Sequence, residues 1–323
     1  MFLTQGIWPW VAFNAFVIIL LALDLGVFNR KSHTVSIKEA LIWSVVWISL
    51  ALAFNVGIYF FQGPDIALQF LTGYLIEKSL SVDNIFVFVL LFTFFAVDPK
   101  YQHRVLFWGV LGALVMRGAL IGVGAVLLDT FHWIIYIFGA FLVFTGIRMG
   151  VQKNEEVHPE RNPILKLMRR ILPVSDNYDG ARFFTKINGK RLATPLLLVL
   201  IVVETTDLVF AVDSIPAIFA VTNDPFIVYT SNVFAILGLR SLYFVFANII
   251  HKFHYLKLGL AVILSYVGVK MLVADFFHIP TFLSLAIIAL VLTVAIIASA
   301  IRARRIGETA SHKEEKETTK VPS

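Results

Sequence analysis

The sequence predicts an all-α polytopic membrane protein with about nine transmembrane helices. Of its 323 residues, 59% are hydrophobic, against about 45–50% in soluble domains, and the mean hydropathy is +0.83. A second observation is a succession of apolar segments, each long enough to cross a bilayer as a helix. A third is that Asp and Glu occur inside two of these segments, which predicts a polar interior at membrane depth.

The apolar segments predict where the spans lie. The first, Ile7 to Phe28, follows no basic segment and is too long for a signal-peptide core, which favours a span over a cleaved leader. The third and sixth segments are longer than a bilayer requires, so they allow tilt or a break. The predicted spans are 7–28, 39–61, 66–96, 104–128, 131–151, 194–220, 226–249, 257–276 and 280–301.

The distribution of Lys and Arg predicts the orientation. The connections around Pro64, Asp129, Asp224 and His278 hold no Lys or Arg, whereas those on the other side are basic. Because basic loops stay cytoplasmic, we expect the N-terminus outside and the C-terminus in the cytoplasm. This asymmetry accounts for the net charge of +6 without a nucleic-acid partner. The basic positions are Arg30, Lys31, Lys100, Arg104, Lys252, Lys257, Arg302, Arg304 and Arg305.

One long connection, residues 152–193, is predicted to be cytoplasmic. Within it Pro163 to Leu172 reads PILKLMRRIL and places apolar residues at helical spacing opposite Lys and Arg, which predicts an interfacial helix favoured by anionic lipid. Asn188-Gly189 lies between short alternating runs and predicts a hairpin turn. The tail from Gly307 is charged and poor in apolar residues, so we expect it to be disordered.

Polar residues also predict an internal repeat. An acid, an arginine and a Gly-x-Arg/Lys-Met end recur in one order, at Asp83, Arg117 and Phe144 to Met149 and again at Asp213, Arg240 and Tyr266 to Met271. Since each unit has three spans, helices 3–5 and 6–8 would form a 3+3 inverted repeat, with a site near the midplane. The predicted divisions are a two-helix segment 1–65, repeats 66–151 and 194–276, a loop 152–193, a C-terminal helix 277–306 and a tail 307–323.

Two predicted spans carry the acids. Gly73 to Phe88 reads GYLIEKSLSVDNIFVF, and Val202 to Phe219 reads VVETTDLVFAVDSIPAIF. A carboxylate at the centre of a spanning helix costs roughly 2.5–3.5 kcal/mol on insertion scales, so these side chains must face an interior or a water-filled path. Pro216 favours a break in the second of these helices, because a proline frees the carbonyl one turn earlier.

Helical geometry divides the polar side chains into two directions. Positions seven apart share a face, so Glu77 lies above Asn84 and Asp207 above Ser214. Asp83 and Asp213 point about 120° away from those faces. A straight helix therefore cannot bring the side chains of both faces to one point. Either several helices surround the acids, or the backbone is broken.

Six acids and four cations are predicted at membrane depth, including Asp24 of the first span. All of them could form structural ion pairs, but the acids outnumber the cations by two. A divalent cation or bound protons would neutralise the two excess negative charges. The predicted metal ligands are Glu77, Asp83, Asn84, Glu204, Asp207, Asp213 and Ser214. The residues predicted to pair charges or gate are Asp24, Lys78, Arg117, Arg240 and Lys270. We expect Arg117 and Arg240 each to lie near an acid of the opposite repeat.

The available ligand types limit the metal. The chain has no cysteine, and none of its eight histidines lies deep in a predicted span. Oxygen ligands suit Mn²⁺, Ca²⁺ or Mg²⁺ better than Zn²⁺ or Cu⁺.

Two segments carry a resemblance to a known family. Glu77 to Asn84 (EKSLSVDN) and Val203 to Phe219 (VETTDLVFAVDSIPAIF) resemble the signatures of the TerC family, integral membrane proteins named for tellurium resistance and grouped with the lysine-exporter superfamily. The resemblance extends from about Phe70 to Pro280, and nine spans are similar to the longer, Alx-type members. It implies manganese export across the bacterial inner membrane, with the acidic motifs binding the metal. Some members are linked instead to tellurite resistance, to metal loading of exported enzymes or to membrane-protein assembly in plastids.

The sequence and the resemblance together favour a secondary transporter that exports Mn²⁺ in exchange for protons, with no bound organic cofactor. The sequence contains no nucleotide-binding loop of the GxxxxGK[ST] type that would suggest transport driven by ATP. The partners we expect are the bilayer, the metal ion and protons. The alternative is a membrane factor acting in tellurite resistance, or in the metallation or assembly of exported proteins, for which the cytoplasmic loop would matter most. We do not expect an enzyme, since an intramembrane aspartyl enzyme would carry a Gly-x-Gly-Asp signature, which is absent.

Overall fold

The computed structural model is helical apart from one hairpin in the residues it describes, which are 6–23, 35–131, 133–151, 163–175, 177–187, 189–247, 255–277 and 279–318. The helices are α1 (Ile7–Leu23), α2 (Ile37–Gln62), α3 (Pro64–Phe94), α4 (Pro99–Thr130), α5 (Ile134–Val151), α6 (Pro163–Ile171), α7 (Pro195–Phe219), α8 (Pro225–Leu237), α9 (Leu239–Phe246), α10 (Leu256–Leu272) and α11 (Thr281–Thr318). The antiparallel strands β1 (Phe184–Ile187) and β2 (Lys190–Ala193) form the hairpin.

Several helices are long and apolar enough to cross a membrane. Within the described part of the chain five meet this criterion, namely α2, α4, α5, α7 and the Thr281–Arg302 part of α11. The pair α8–α9 meets it as a single span bent by 40°, and α1 is a shorter apolar helix. A helix or the bent pair occupies each of the nine segments predicted to span.

Proline and aspartate at the helix starts explain where several helices begin. Pro64, Pro99, Pro195 and Pro225 occupy the first helical position of α3, α4, α7 and α8, where the missing N–H is not needed. The side chain of Asp224 accepts a hydrogen bond from the Phe226 N–H at 2.9 Å and caps α8. These signals fix the helix boundaries locally, before any tertiary packing.

The predicted helix break at Pro216 is wrong. Helix α7 continues through Pro216 to Phe219, because the proline lies in the last turn and the helix ends soon after the one hydrogen bond it removes. The break lies instead in the next predicted span, at Gly238 between α8 and α9.

Helix α11 extends beyond the predicted C-terminal helix 277–306, since it continues to Thr318. The Ala, Glu and Lys residues after Gly307 are strong helix formers, which favours this continuation. The disorder of the tail from Gly307 stays a prediction.

The acidic helices α3 and α7 form the centre of the bundle. Helix α3 contacts α2, α7, α8, α9 and α11, and α7 contacts α3 and α4. The outer helices expose large apolar side chains, as at Phe60 and Phe61 of α2 and Leu290 of α11. The apolar surface therefore lies outside, and the buried polar groups lie on the central helices.

The long connection forms a small folded unit at one end of the bundle. Helix α6 and the hairpin appear where the sequence predicted them, and β1 pairs with β2 around Gly189, whose φ is 80°. Leu165 of α6 is buried against α7, and the Tyr178 hydroxyl donates to the Phe95 carbonyl at 2.6 Å. The Arg104 guanidinium lies 5.2 Å from the centre of the Phe183 ring. These contacts attach the unit to the ends of α3, α4 and α7.

Helices α5 and α10 pack closely at glycine positions. A Cβ atom built on Gly268 would lie 2.7 Å from both the Gly139 carbonyl oxygen and the Val143 nitrogen. A Cβ atom on Gly146 would lie 2.8 Å from the Ala261 carbonyl oxygen. Because these neighbours are backbone atoms, rotamer changes cannot relieve the overlap.

We expect Gly268→Ala to destabilise the protein by about 1–3 kcal/mol, the range for overpacking a tight interface. The measurement is the midpoint of thermal unfolding in detergent. Gly122→Ala in α4 is the matched control, because a Cβ atom there would meet nothing within 4 Å. Equal midpoints for the two variants would contradict the close approach of α5 and α10.

Candidate functional site

Arg117 of α4 binds two acids in the interior of the bundle. Its Nε and Nη2 atoms donate to the two carboxylate oxygens of Asp207 at 3.0 and 2.9 Å. Its Nη1 atom donates to Glu77 Oε1 and, at 3.3 Å, to the Ser214 hydroxyl oxygen. The exposed fractions are 2% for Arg117, 1% for Glu77 and 3% for Asp207. One guanidinium thus neutralises part of a buried double negative charge, in bidentate geometry towards Asp207.

Two asparagine amides complete this network. Asn84 Nδ2 donates to Asp207 Oδ1 at 3.0 Å, and Asn232 Nδ2 of α8 donates to Glu77 Oε2 at 3.0 Å. Both asparagines are 1% exposed, and the Oδ1 atom of each has no hydrogen-bond partner in the described structure. Two acceptor oxygens are therefore buried without a donor beside the carboxylates, an arrangement that is costly unless a ligand uses it.

The helical geometry predicted from the sequence brings these groups together. Glu77 and Asn84 of α3 both join the network, as do Asp207 and Ser214 of α7. Of the two possibilities that the sequence left open, the structure shows the first: several helices surround the acids, since α3, α4, α7 and α8 all contribute. Arg117 also contacts an acid of the other predicted repeat, Asp207, as expected.

Asp83 and Asp213 line a small cavity beside the network. Both are partly buried, and the Thr145 hydroxyl of α5 lies 3.3 Å from Asp213 Oδ1 as a donor. The cavity is lined by Glu77, Leu80, Asp83, Asn84, Arg117, Met149, Phe210, Asp213, Ser214 and Leu264. Six of the predicted site residues therefore meet around one space.

A second small cavity lies on another side of Asp207. Apart from this acid it is lined by apolar residues and Gly109, among them Phe88 of α3, Val203 of α7 and Leu239 of α9. Arg117 lines the first cavity and Asp207 the second, so each space is bordered by one partner of their ion pair.

Three other predicted residues, Glu204, Arg240 and Lys270, line neither cavity. Glu204 is partly buried against Gly112 of α4 and lines neither cavity. Arg240 is buried on α9, and Lys270 lies in the last turn of α10. Asp24 lies outside the described residues.

Lys78 has a role that the sequence did not indicate. Its ammonium donates to the Ala235 carbonyl at 3.2 Å, close to the end of α8, and lies 5.9 Å from the centre of the Tyr74 ring. The last carbonyls of a helix have no partner within it and carry partial negative charge. Lys78 therefore stabilises the chain at the α8–α9 bend.

In this arrangement the acids do not form a ready metal site. Within the described part of the chain, no three His, Cys, Asp or Glu side chains come close enough to hold a metal ion. Glu77 and Asp207 are bound to Arg117 instead. Carboxylate, amide and hydroxyl oxygens nevertheless surround one space, and such oxygens are the donors that hard cations prefer.

Two contributors were missed by the sequence analysis. Asn232 lies within a polar triplet, Thr230-Ser231-Asn232, in an otherwise apolar helix, and this triplet was the available signal. Thr145 lies within the repeat segment Phe144 to Met149 of α5, but nothing in the sequence distinguishes it from a hydroxyl that bonds its own helix.

A bundle of apolar helices with ion pairs and carboxylates inside defines the protein as a polytopic helical membrane protein with a charged interior. Its family is shown by comparison: residues 62–306 match the model described as Integral membrane protein TerC family, and the chain belongs to that family.

Curated relatives match most of the chain. A protein of Myxococcus xanthus named "Uncharacterized membrane protein STKORF319" is 56% identical, over 91% of this chain and 92% of its own. A protein of Escherichia coli (strain K12) named "Putative membrane-bound redox modulator Alx" is 49% identical, over 90% of this chain and 94% of its own. An uncharacterized membrane protein of Rickettsia bellii is 41% identical. No solved structure matches.

We expect Asn232→Ala to lower stability by about 1–3 kcal/mol, because it leaves a buried Glu77 oxygen without its donor. Thermal unfolding of the purified protein measures this loss. Thr230→Val is the control on the same helix, since the Thr230 hydroxyl bonds only carbonyls of its own helix. A loss no larger than that of the control would argue against the Asn232–Glu77 contact.

Proposed function

We propose that the protein is a secondary transporter that exports a divalent metal cation, most favourably Mn²⁺, from the cytoplasm. The observation that carries the proposal is the meeting of Asp83 and Asp213, from the two acidic helices, around one cavity that Glu77 also lines. Acids inside a membrane are rare, face a bundle interior or a water-filled cavity, and mark ion pathways.

The proposed architecture is nine spans with α3–α5 and α7–α10 as inverted repeats, in the bacterial inner membrane, with the N-terminus outside. The pairing of helices supports it. A two-fold relation exchanges α3 with α7, α4 with α8–α9 and α5 with α10, so it makes the α3–α8 contact equivalent to the α4–α7 contact, and both contacts are present. The exchanged helices α3 and α7 also touch each other, as do α5 and α10. Sites in such folds lie where the repeats meet.

The ligand chemistry supports a hard cation. The groups around the cavity are carboxylate, amide and hydroxyl oxygens, and the chain contains no cysteine. Such a set suits Mn²⁺, Ca²⁺ or Mg²⁺, and the family resemblance selects Mn²⁺ among them. The metal is cargo in this proposal, and the protein carries no organic cofactor.

Exchange against protons follows from the same carboxylates. A carboxylate must be ionised to bind a metal, so metal binding releases protons. A site that loads metal at the cytoplasmic face and takes up protons at the outer face would use the inward proton gradient for export.

The relatives' printed name suggests a second candidate, a modulator of redox state. Thiol chemistry on this chain cannot supply it, because no cysteine is present. A role in tellurite resistance, or in metallating or assembling exported proteins, would act through a partner, and the folded unit of α6 and the hairpin is the region suited to that. Deleting residues 163–193 should then abolish function, whereas neutralising the buried acids should not.

We expect Asp83→Asn and Asp213→Asn each to abolish the tolerance of cells to excess Mn²⁺, because each removes a charged ligand from the cavity. Growth of cells lacking other Mn²⁺ exporters measures tolerance, and immunoblotting of membranes measures abundance. Asp65→Asn is the control, since Asp65 is exposed in the first turn of α3. If both cavity variants protect cells as well as the parent does, the site lies elsewhere.

Proton exchange predicts opposite effects of pH on rate and affinity. In inverted vesicles export is read as Mn²⁺ uptake, and we expect its rate to fall when an inside-acid gradient is collapsed. Apparent affinity should instead tighten as pH rises over about two units, since fewer protons must be displaced. Vesicles without the protein are the control. A rate and an affinity that both stay constant would leave a path driven by the metal gradient alone.

A further inference from the structure

We propose that Arg117 is a resident cation that competes with the transported metal for Glu77 and Asp207, and that Asn84 and Asn232 supply two further oxygen ligands when the guanidinium leaves. The inference rests on the proposed function. It assigns a role to Arg117 beyond structural pairing, and it adds Asn232 to the ligand set.

The first argument is occupancy. The guanidinium uses three of its nitrogen atoms on three carboxylate oxygens, both of Asp207 and Oε1 of Glu77. A divalent cation bound by these carboxylates would need the same oxygens. It would also lie beside a positive charge in a buried, weakly screened environment. Binding of the metal there and pairing with Arg117 are therefore mutually exclusive.

The second argument is the unused oxygens. The amide nitrogens of Asn84 and Asn232 each donate to one of the two carboxylates, yet among the residues that the structure describes their Oδ1 atoms have no partner, and both asparagines are 1% exposed. Amide oxygens are ordinary ligands of hard cations. A metal ion in place of the guanidinium would have two carboxylates and two amide oxygens within one cluster, from three different helices.

The third argument is that two further carboxylates could pair with Arg117. It lines the same cavity as Asp83 and Asp213, and it makes no ion pair with either in the described structure. These two acids offer a second pair of carboxylates across the cavity. In this proposal the guanidinium exchanges between the two acid pairs that border its cavity, and the metal occupies the pair that the guanidinium has left.

A resident cation supplies a counter-charge to the acids when no metal is bound. After the metal leaves, Glu77 and Asp207 would remain as two buried carboxylates without a counter-charge, which is strongly unfavourable. Return of Arg117 neutralises them and displaces the metal in the same step. The competitor thus limits affinity and promotes release.

The test is Arg117→Gln, which removes the charge and keeps a hydrogen-bonding side chain. We expect the variant to bind Mn²⁺ at least about tenfold more tightly than the parent and to transport it more slowly. Binding is measured on purified protein in nanodiscs from the electron paramagnetic resonance signal of free Mn²⁺, and transport in inverted vesicles. Arg117→Lys keeps the charge without the bidentate fork and should stay closer to the parent in affinity. Arg104→Gln, at the cytoplasmic end of α4, is the control and should change neither.

Loss of folding in Arg117→Gln would not prevent the test. The double variant Glu77→Gln/Arg117→Gln has the same net charge in the cluster as the parent, and it should bind Mn²⁺ more tightly than Glu77→Gln alone. The proposal that Arg117 competes with the metal would be overturned if Arg117→Gln bound Mn²⁺ no more tightly than the parent. It would also be overturned if Glu77→Gln and Glu77→Gln/Arg117→Gln bound Mn²⁺ with equal affinity. Either result would leave the transporter proposal intact. A parent protein that binds and transports no Mn²⁺ would overturn the transporter proposal itself.

Discussion

The ion pairs of Arg117 with Glu77 and Asp207 constrain the rest of the structure. A charged group inside a bilayer is tolerated only when it is paired and shielded from lipid, and these pairs join α3, α4 and α7. The three helices must therefore lie at the centre, and the apolar surfaces of α2, α5 and α11 must surround them. Removing one partner would leave an uncompensated buried charge, a change that costs about 3–5 kcal/mol in proteins generally. The burial of the charged centre and the exposure of the apolar helices therefore require each other.

The sequence predicted what is local, and its failures have physical causes. The period of the helix is fixed, so the shared faces of Glu77 with Asn84 and of Asp207 with Ser214 could be calculated and were confirmed. The hairpin followed from its turn residues. Asn232 was missed because its importance depends on which helix packs against α3, and local patterns contain no such information. The same limit applies to the bend at Gly238, a residue that looks unremarkable in sequence.

The ion pair of Arg117 and Asp207 also borders the two cavities. Arg117 and Glu77 border the polar cavity, whereas Asp207 borders the cavity of mostly apolar residues near the end of the bundle where α6 and the hairpin attach. One partner of the ion pair therefore borders each space. The contact that holds α4 to α7 is thus also the contact that borders both cavities.

The bent pair α8–α9 contacts this charged centre through helix α3. Two neighbouring residues of α3 hold α8 at separate points: Glu77 accepts from Asn232, and Lys78 donates to the Ala235 carbonyl beside the bend. Because both contacts come from one turn of α3, a rotation of α8 about Gly238 would disturb them together. Loss of the Asn232 contact would in turn free a Glu77 oxygen next to the guanidinium. The bend at Gly238 and the ion-pair network are therefore held by the same turn of α3.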